Sequence, residues 1–510
     1  MIREPLPIAV IGAGPVGLAA AAHLIARGEV PIVVEAGDQV GTAVRQWAHV
    51  RVFSPWRYNV DSTAAAMLAK AGWTMPDPDH LPTGRELVRD YLEPLAALPE
   101  IRPSLRLGTR VLSVSRRGVD KLRTEGRDAA PFVLRVRTPA GEEQEILARA
   151  VIDASGTYGS PSPLGADGTP ARGEPTMGDR VFYGIPNVLE TDRHRYVGRR
   201  VAVVGSGHSA LNTLLDLAEL IRAEPRTAVT WIVRRPPPAR VFGGGVADAL
   251  PARGALGQQA RQLLERGGVT LVVGRIAAMT HTPHGVAILD EAGTTLAVVD
   301  EVVAVTGLRP DLAPLRELRL ELDPIMEAPK ALAPLIDPNV HSCGTVPPHG
   351  EAELRHPEPG FYVVGMKSYG RAPTFLMLTG YEQVRSIACA LTGDAAGAVT
   401  VELTLPETGV CGVPSVTSSS VPDGVASSCC GGPAPAQVDA CCAQDAEAKA
   451  LGHDGCGCGS SHVTTSAGSG AVGGAESTHA WTGEGTKRGK LQLVSTGPRP
   501  GGERTSGCCS

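Results

Sequence analysis

Ile8-Ala9-Val10-Ile11-Gly12-Ala13-Gly14-Pro15-Val16-Gly17 is the stretch that decides the fold. The four leading residues read as a short buried strand, and an apolar helical pattern follows from Leu18 to about Arg27, closed by Gly28 as a C-cap. Between them Gly12 permits a tight turn, Gly14 lets the backbone approach a pyrophosphate, and Gly17 lets helix and strand pack closely. The helix N-terminus offers amide donors and partial positive charge to phosphates. The next strand, Ile32-Val33-Val34, ends in Glu35, whose carboxylate can accept both ribose hydroxyls of an adenosine. Strand, glycines, helix, strand and terminal acid in that order form a specific signal for a dinucleotide site.

The unit recurs. Val201 to Val204 lead into Gly205-Ser206-Gly207-His208-Ser209-Ala210, with a helical pattern from Leu211 to about Ile221. The following strand, Val229 to Val233, ends in Arg234-Arg235 instead of an acid. Two guanidiniums at that place suit a 2′-phosphate, so this site is expected to prefer NADPH over NADH. An acid-ended and an arginine-ended site on one chain imply two dinucleotides, FAD at the first and NADPH at the second. His208 is read as shaping the phosphate loop.

Composition sets the bounds. The chain has 510 residues, 43% of them hydrophobic, and a net charge of −5, which gives no argument for nucleic acid. Beyond residue 405 it turns to Gly, Ser, Ala, Pro and Cys, with Trp481 as the only Phe, Trp or Tyr, so 406–510 is expected to be largely disordered. The apolar run from Leu6 to Ile25 could pass for a signal peptide, but its glycine spacing fits strand, turn and helix better. No other segment is long enough to span a membrane. The first 342 residues contain no cysteine, as suits a reducing, cytoplasmic setting. The oligomeric state, a homodimer included, stays open.

These features resemble the two-dinucleotide flavoprotein superfamily over roughly residues 5–405. The resemblance implies an α/β fold of two interleaved Rossmann-like three-layer domains. The FAD-binding domain would occupy 1–175 and 306–405, with the NADPH-binding domain (176–305) inserted. It likens Ala150-Val151-Ile152-Asp153-Ala154-Ser155-Gly156 to the return strand, Val302 to Thr306-Gly307 to the exit from the inserted domain, and Phe361 to Gly365 to the last FAD-domain strand. Gly365 is followed by Met366-Lys367 where the superfamily usually has an Asp near the ribityl chain. Disulfide reductases of the superfamily carry a cysteine pair beside the flavin, and these 342 residues have none.

The segment Val44-Arg45-Gln46-Trp47 with Phe53-Ser54-Pro55-Trp56 looks like the class B flavin-dependent monooxygenases, with Arg45 and Trp47 near the cofactor. Their Phe-x-Gly-x-x-x-His fingerprint appears as Phe182-Tyr183-Gly184 with Val188 at the His position. The runs 182–189, 205–212, 240–245 and 360–383 resemble the ArsO-type flavin monooxygenases of actinobacterial arsenic-resistance operons. That resemblance implies a small-molecule substrate, an arsenical among the candidates, and O2. A reductase that passes electrons to a quinone, disulfide or metalloid, and a thiolate metalloid-binding protein on a flavoprotein scaffold, are the alternatives.

Cysteine pairs in the tail point to soft ions. Adjacent Cα atoms lie only about 3.8 Å apart, below the usual disulfide span, so Cys429-Cys430 and Cys441-Cys442 are poor disulfides. With Cys456 and Cys458 they make six thiols from which trivalent arsenic could draw the three thiolates it takes, whereas zinc takes four. Cys343 is either a small buried hydrophobe or a group that meets a thiophilic substrate.

Overall fold

The computed structural model describes residues 5–236, 251–338, 346–373 and 375–403. Cys343, the run 240–245 and the cysteines from Cys429 to Cys458 lie outside the described residues.

Strand β1 (Ile8–Ile11) is buried at every position, as a strand covered on both faces must be. Helix α1 begins three residues earlier than the apolar pattern suggests and spans Pro15–Ala26. The cause is Pro15, whose fixed φ suits the first turn and whose missing N–H has no intrahelical acceptor anyway. Ala19, Ala20, Ala21 and Ala22 are all fully buried, so α1 is packed on every side. Gly28 follows its end at φ +80°, and its N–H returns to the Ile25 carbonyl at 2.9 Å.

Strands β2 (Pro31–Val34) and β3 (Leu105–Arg106) extend the sheet, with helix α2 (Ser62–Lys70) between them in sequence. An antiparallel sheet of β4 (Arg110–Arg116), β5 (Phe132–Arg137) and β6 (Glu143–Ala148) follows, and then β7 (Ala150–Asp153) returns to the parallel sheet. In register, Ile11 lies opposite both Val34 and Asp153. The chain therefore delivers Gly12, Glu35 and Ala154 to one edge, where ligands of such sheets bind.

A second parallel sheet uses β8 (Val181–Tyr183), β9 (Arg200–Val204), β10 (Ala228–Val233), β11 (Thr270–Val273) and, after an antiparallel meander of β12 (Ile276–Thr282), β13 (Gly285–Asp290) and β14 (Thr295–Val299), β15 (Glu301–Ala304). Its order is β11-β10-β9-β15-β8. Helix α3 (His208–Ala223) leaves β9, starting earlier than its apolar pattern, and helix α4 (Pro251–Glu265) precedes β11. The last strand, β16 (Phe361–Val363), rejoins the first sheet beside β7, and helix α5 (Met377–Leu391) follows it. Residues on both sides of the second sheet thus build the first, giving an α/β fold with two Rossmann-type sheets. The two crossings between the sheets are paired: Ser162 N–H donates to the Gly307 carbonyl and Arg309 N–H to that of Ser160, each at 2.9 Å. Among the described residues no helix is long and apolar enough to cross a membrane.

Buried charge sits behind β16. Glu358 accepts from Arg116 Nε (2.7 Å), from Arg127 Nη2 (2.6 Å) and from the Arg319 N–H (2.9 Å). Nearby His356 is buried, its Nδ1 accepting the Glu321 N–H and its Nε2 without a partner among the described residues. Burial pushes the His356 pKa down to about 4. The folded state then resists a proton that the unfolded chain takes up at its ordinary 6.5. Stability is expected to fall by up to about 3 kcal/mol as pH drops from 6.5 to 4. Denaturant melts at several pH values check this, and His356→Gln should remove that share of the slope.

Candidate functional site

The first glycine loop has the geometry its sequence requires. Gly12 sits at φ +99°, and a Cβ there would lie 2.7 Å from the Ala154 carbonyl oxygen. A Cβ on Gly17 would lie 1.9 Å from the Gly12 carbonyl oxygen, so helix and strand meet through bare backbone. Around Gly14 a Cβ would meet nothing within 4 Å, which leaves open space before the amides of α1. Glu35 faces the same loop, its oxygens accepting the Ala13 N–H (2.7 Å) and the Gly37 N–H (2.8 Å). Each carboxylate oxygen keeps a lone-pair site for a ribose hydroxyl. A dinucleotide such as FAD would fit this cradle, which has open space at Gly14 and spare lone pairs on Glu35.

Other residues expected here take more varied places. Ser155 Oγ donates to Asp153 Oδ1 at 2.6 Å, and Gly156 turns at φ +69° with open space beside it. Gly365, at φ +66°, rests on Val16 of α1 and donates its N–H to Gln383 Oε1 at 2.7 Å. Arg45 is held by Glu93 at 2.6 Å and by the Val40 carbonyl. Trp47 lies so close over Gly84 that a Cβ there would come within 2.8 Å of its ring.

The second loop repeats the geometry. Gly205 turns at φ +135°, and a Cβ there would strike the Val305 carbonyl. Gly207, the N-cap of α3, again has nothing within 4 Å. Ser206, Gly207, His208 and Ser209 are exposed, whereas Ala210, at the place of Gly17, is fully buried. Trp231 Nε1 donates to the Gly205 carbonyl at 2.6 Å, an anchor with no counterpart in the motif. Arg234 and Arg235 are exposed beyond the end of β10. Thr306 Oγ1 donates to the Ser162 carbonyl, and Gly307 turns at φ +102° in the paired crossing.

Phe53 brings the segment that follows β2 against the second loop. Its ring packs edge-on against His208 at 5.1 Å and also lies on the apolar core beneath α3. Val188, at the fingerprint His position, is fully buried in that core, where an imidazole would lose its water.

Residues 9–342 match the family of pyridine nucleotide-disulphide oxidoreductases. The chain belongs to that family. As a member it is an oxidoreductase built for FAD and a pyridine nucleotide. Curated relatives include the indole-3-pyruvate monooxygenase YUCCA1 of Oryza sativa subsp. japonica, 29% identical over 217 residues. The probable indole-3-pyruvate monooxygenase YUCCA9 of Arabidopsis thaliana is 30% identical over 219 residues. Each match covers 41% of this chain and 44% of the plant enzyme, so the chain spans less than half the length of these relatives. Among solved structures, the bacillithiol disulfide reductase Bdr of Bacillus cereus has 18% identity and a TM-score of 0.54, covering 76% of this chain and 99% of its own. The cadaverine monooxygenase DfoA of Erwinia amylovora, bound to FAD, has 15% identity and a TM-score of 0.53 over 79% of this chain and 99% of its own. These two share the fold.

Sequence reasoning missed one feature of the site. Lys367 is buried, with Nζ 2.7 Å from Asp153 Oδ2 and 3.0 Å from Ser155 Oγ. A buried strand ending in Asp153 and a lysine in place of an acid are both legible. Their pairing across strands β7 and β16 is not. Among the described residues no cluster of His, Cys, Asp and Glu could hold a metal ion.

Arg234 and Arg235 carry a prediction. Changing both to alanine should raise the KM for NADPH by about tenfold or more and leave that for NADH nearly unchanged. Steady-state kinetics with both nucleotides checks it; equal use of NADH by the wild-type chain would remove the phosphate-reading role.

Proposed function

We propose that this chain is a cytoplasmic, NADPH-dependent flavin monooxygenase that acts on a small molecule, with an arsenical as the substrate class. The observation that carries the oxygenase reading is the absence of cysteine from the first 342 residues, which contain both glycine loops. A family named for disulphides here lacks the thiol pair that would take electrons from the flavin. The monooxygenases among the curated relatives support the same choice.

In this reading residues 1–175 and 306–405 hold FAD and 176–305 hold NADPH. Gly14 and the first amides of α1 bind the FAD pyrophosphate, and Glu35 binds its adenosine ribose. Gly207 and the first turn of α3 bind the NADPH pyrophosphate, while Arg234 and Arg235 take its 2′-phosphate. FAD, when bound, accepts a hydride from the nicotinamide and passes the electrons to O2. The Phe53–His208 contact would add apolar surface beside the second loop and help exclude water there.

The arsenical rests on the ArsO-type resemblance and on the nine cysteines beyond residue 405. Cys429, Cys430, Cys441, Cys442, Cys456 and Cys458 would supply three thiolates at a time to trivalent arsenic, and Cys343 would be a further thiol in the body. The test supplies NADPH, isotopically labelled O2 and a trivalent methylated arsenical to the full chain. Label in the arsenical product is the expected result. Product formed without O2 would favour a reductase, the reading that Val188 in place of the fingerprint His supports. Loss of turnover on deleting 406–510 would instead make the thiolate tail the seat of function.

A further inference from the structure

Lys367 stands in the turn that follows β16, with 3% of its side chain exposed. Its charge is balanced: Asp153 Oδ2 lies 2.7 Å away, while Asp153 Oδ1 is taken by the Ser155 N–H (3.1 Å) and Ser155 Oγ–H (2.6 Å). Ser155 Oγ in turn accepts a second N–H of Lys367 at 3.0 Å. An ammonium has three N–H donors. The described residues give this one two acceptors, and an unmet donor on a buried charge is costly.

The place of this group suggests what meets the third. A Cβ on Gly12 would lie 3.1 Å from Ser155 Cα, so the triad abuts the first glycine loop from the side of β7. From the other side, a Cβ on Gly365 would lie 3.3 Å from Val16, in the first turn of α1. Lys367, Asp153 and Ser155 therefore stand at the carboxyl ends of β7 and β16, beside the end of β1 where the cradle opens.

We propose that Lys367 is a binding residue of the first site, donating its third N–H to an oxygen of the chain that links the flavin to the adenosine. This rests on the FAD reading of that loop. A carboxylate at this position could only accept from a ligand hydroxyl. The ammonium reverses the direction and calls for a lone pair on the ligand, from a phosphate oxygen or a ribityl hydroxyl. Asp153 holds the ammonium in place and keeps the buried site near neutral, and Ser155 fixes the rotation of Nζ.

The test uses the full chain depleted of FAD, with FAD and ADP as ligands and thermal melting as the check on folding. Lys367→Met should bind FAD about ten- to a hundredfold more weakly. Because that change strands a buried carboxylate, Asp153→Asn with Lys367→Met removes both charges together. The double variant is expected to regain the melting temperature but not the affinity. ADP carries the pyrophosphate without the ribityl chain: a matching loss for ADP places the acceptor on the phosphates, and an unchanged ADP affinity places it on the ribityl chain. A double variant that binds FAD as tightly as wild type overturns the proposal, since Lys367 then serves only to neutralise Asp153. Wild-type chain that takes up no FAD overturns the reading of the loop itself.

Discussion

Replacing Glu358 by alanine is expected to destabilise the protein by about 3–5 kcal/mol, the cost of removing one partner from a buried ion cluster. The Glu358 side chain is fully buried, and those of Arg116 and Arg127 are only 3% and 1% exposed. Arg116 also lies over the Phe132 ring at 3.6 Å, so it cannot swing out to water without giving up that contact. Burial alone would raise the Glu358 pKa, but the hydrogen bonds from Arg127 and Arg116 outweigh it and hold the carboxyl below its ordinary range. A depressed carboxylate stabilises the fold above its unfolded pKa, and that contribution is lost as pH falls through the folded value. Calorimetry at neutral pH measures the loss. Glu358→Gln, which keeps the shape and part of the hydrogen bonding, should cost less than alanine; equal costs would show that packing, not charge, governs the site.

The second large effect is expected at Gly17. Valine there would drive its Cβ to 1.9 Å from the Gly12 carbonyl, a backbone atom that no rotamer change can move aside. The strain exceeds the ~1–3 kcal/mol of ordinary core overpacking, and α1 must leave its strand. Gly17→Val should therefore yield protein without bound FAD and with a broken first core. Gly14→Ala makes the informative contrast. Its added methyl meets no protein atom within 4 Å, so the chain should melt like wild type while FAD binds more weakly. Flavin absorbance and melting temperature separate the two outcomes. A Gly14→Ala chain that keeps full FAD affinity would mean the pyrophosphate does not lie over this residue.

What was legible in the sequence was local. Gly12, Gly14, Gly17 and Glu35 each have a conformational or chemical reason that holds within one strand-turn-helix unit, and the second loop repeats the logic. The start of α1 was misplaced because an apolar pattern reports burial and is silent on the turn that Pro15 nucleates. The Lys367–Asp153 pair escaped notice because 214 residues separate its members, and adjacency of β7 and β16 is a property of the sheet order. The same holds for Arg116 with Glu358. Val188 shows the limit of fingerprints: its position in the motif was clear, but its full burial beneath α3 was not.

The paired crossings have an evolutionary reading. Ser160 and Arg309 are already hydrogen-bonded across the 148 residues between them, at 2.9 Å. Excising 161–308 would leave two ends that a single peptide could join, with every strand of the first sheet still in place. The second sheet is thus a cassette whose entry and exit coincide. Recombination at two neighbouring points in space could therefore replace the second glycine loop and its sheet without redesigning the first around the graft.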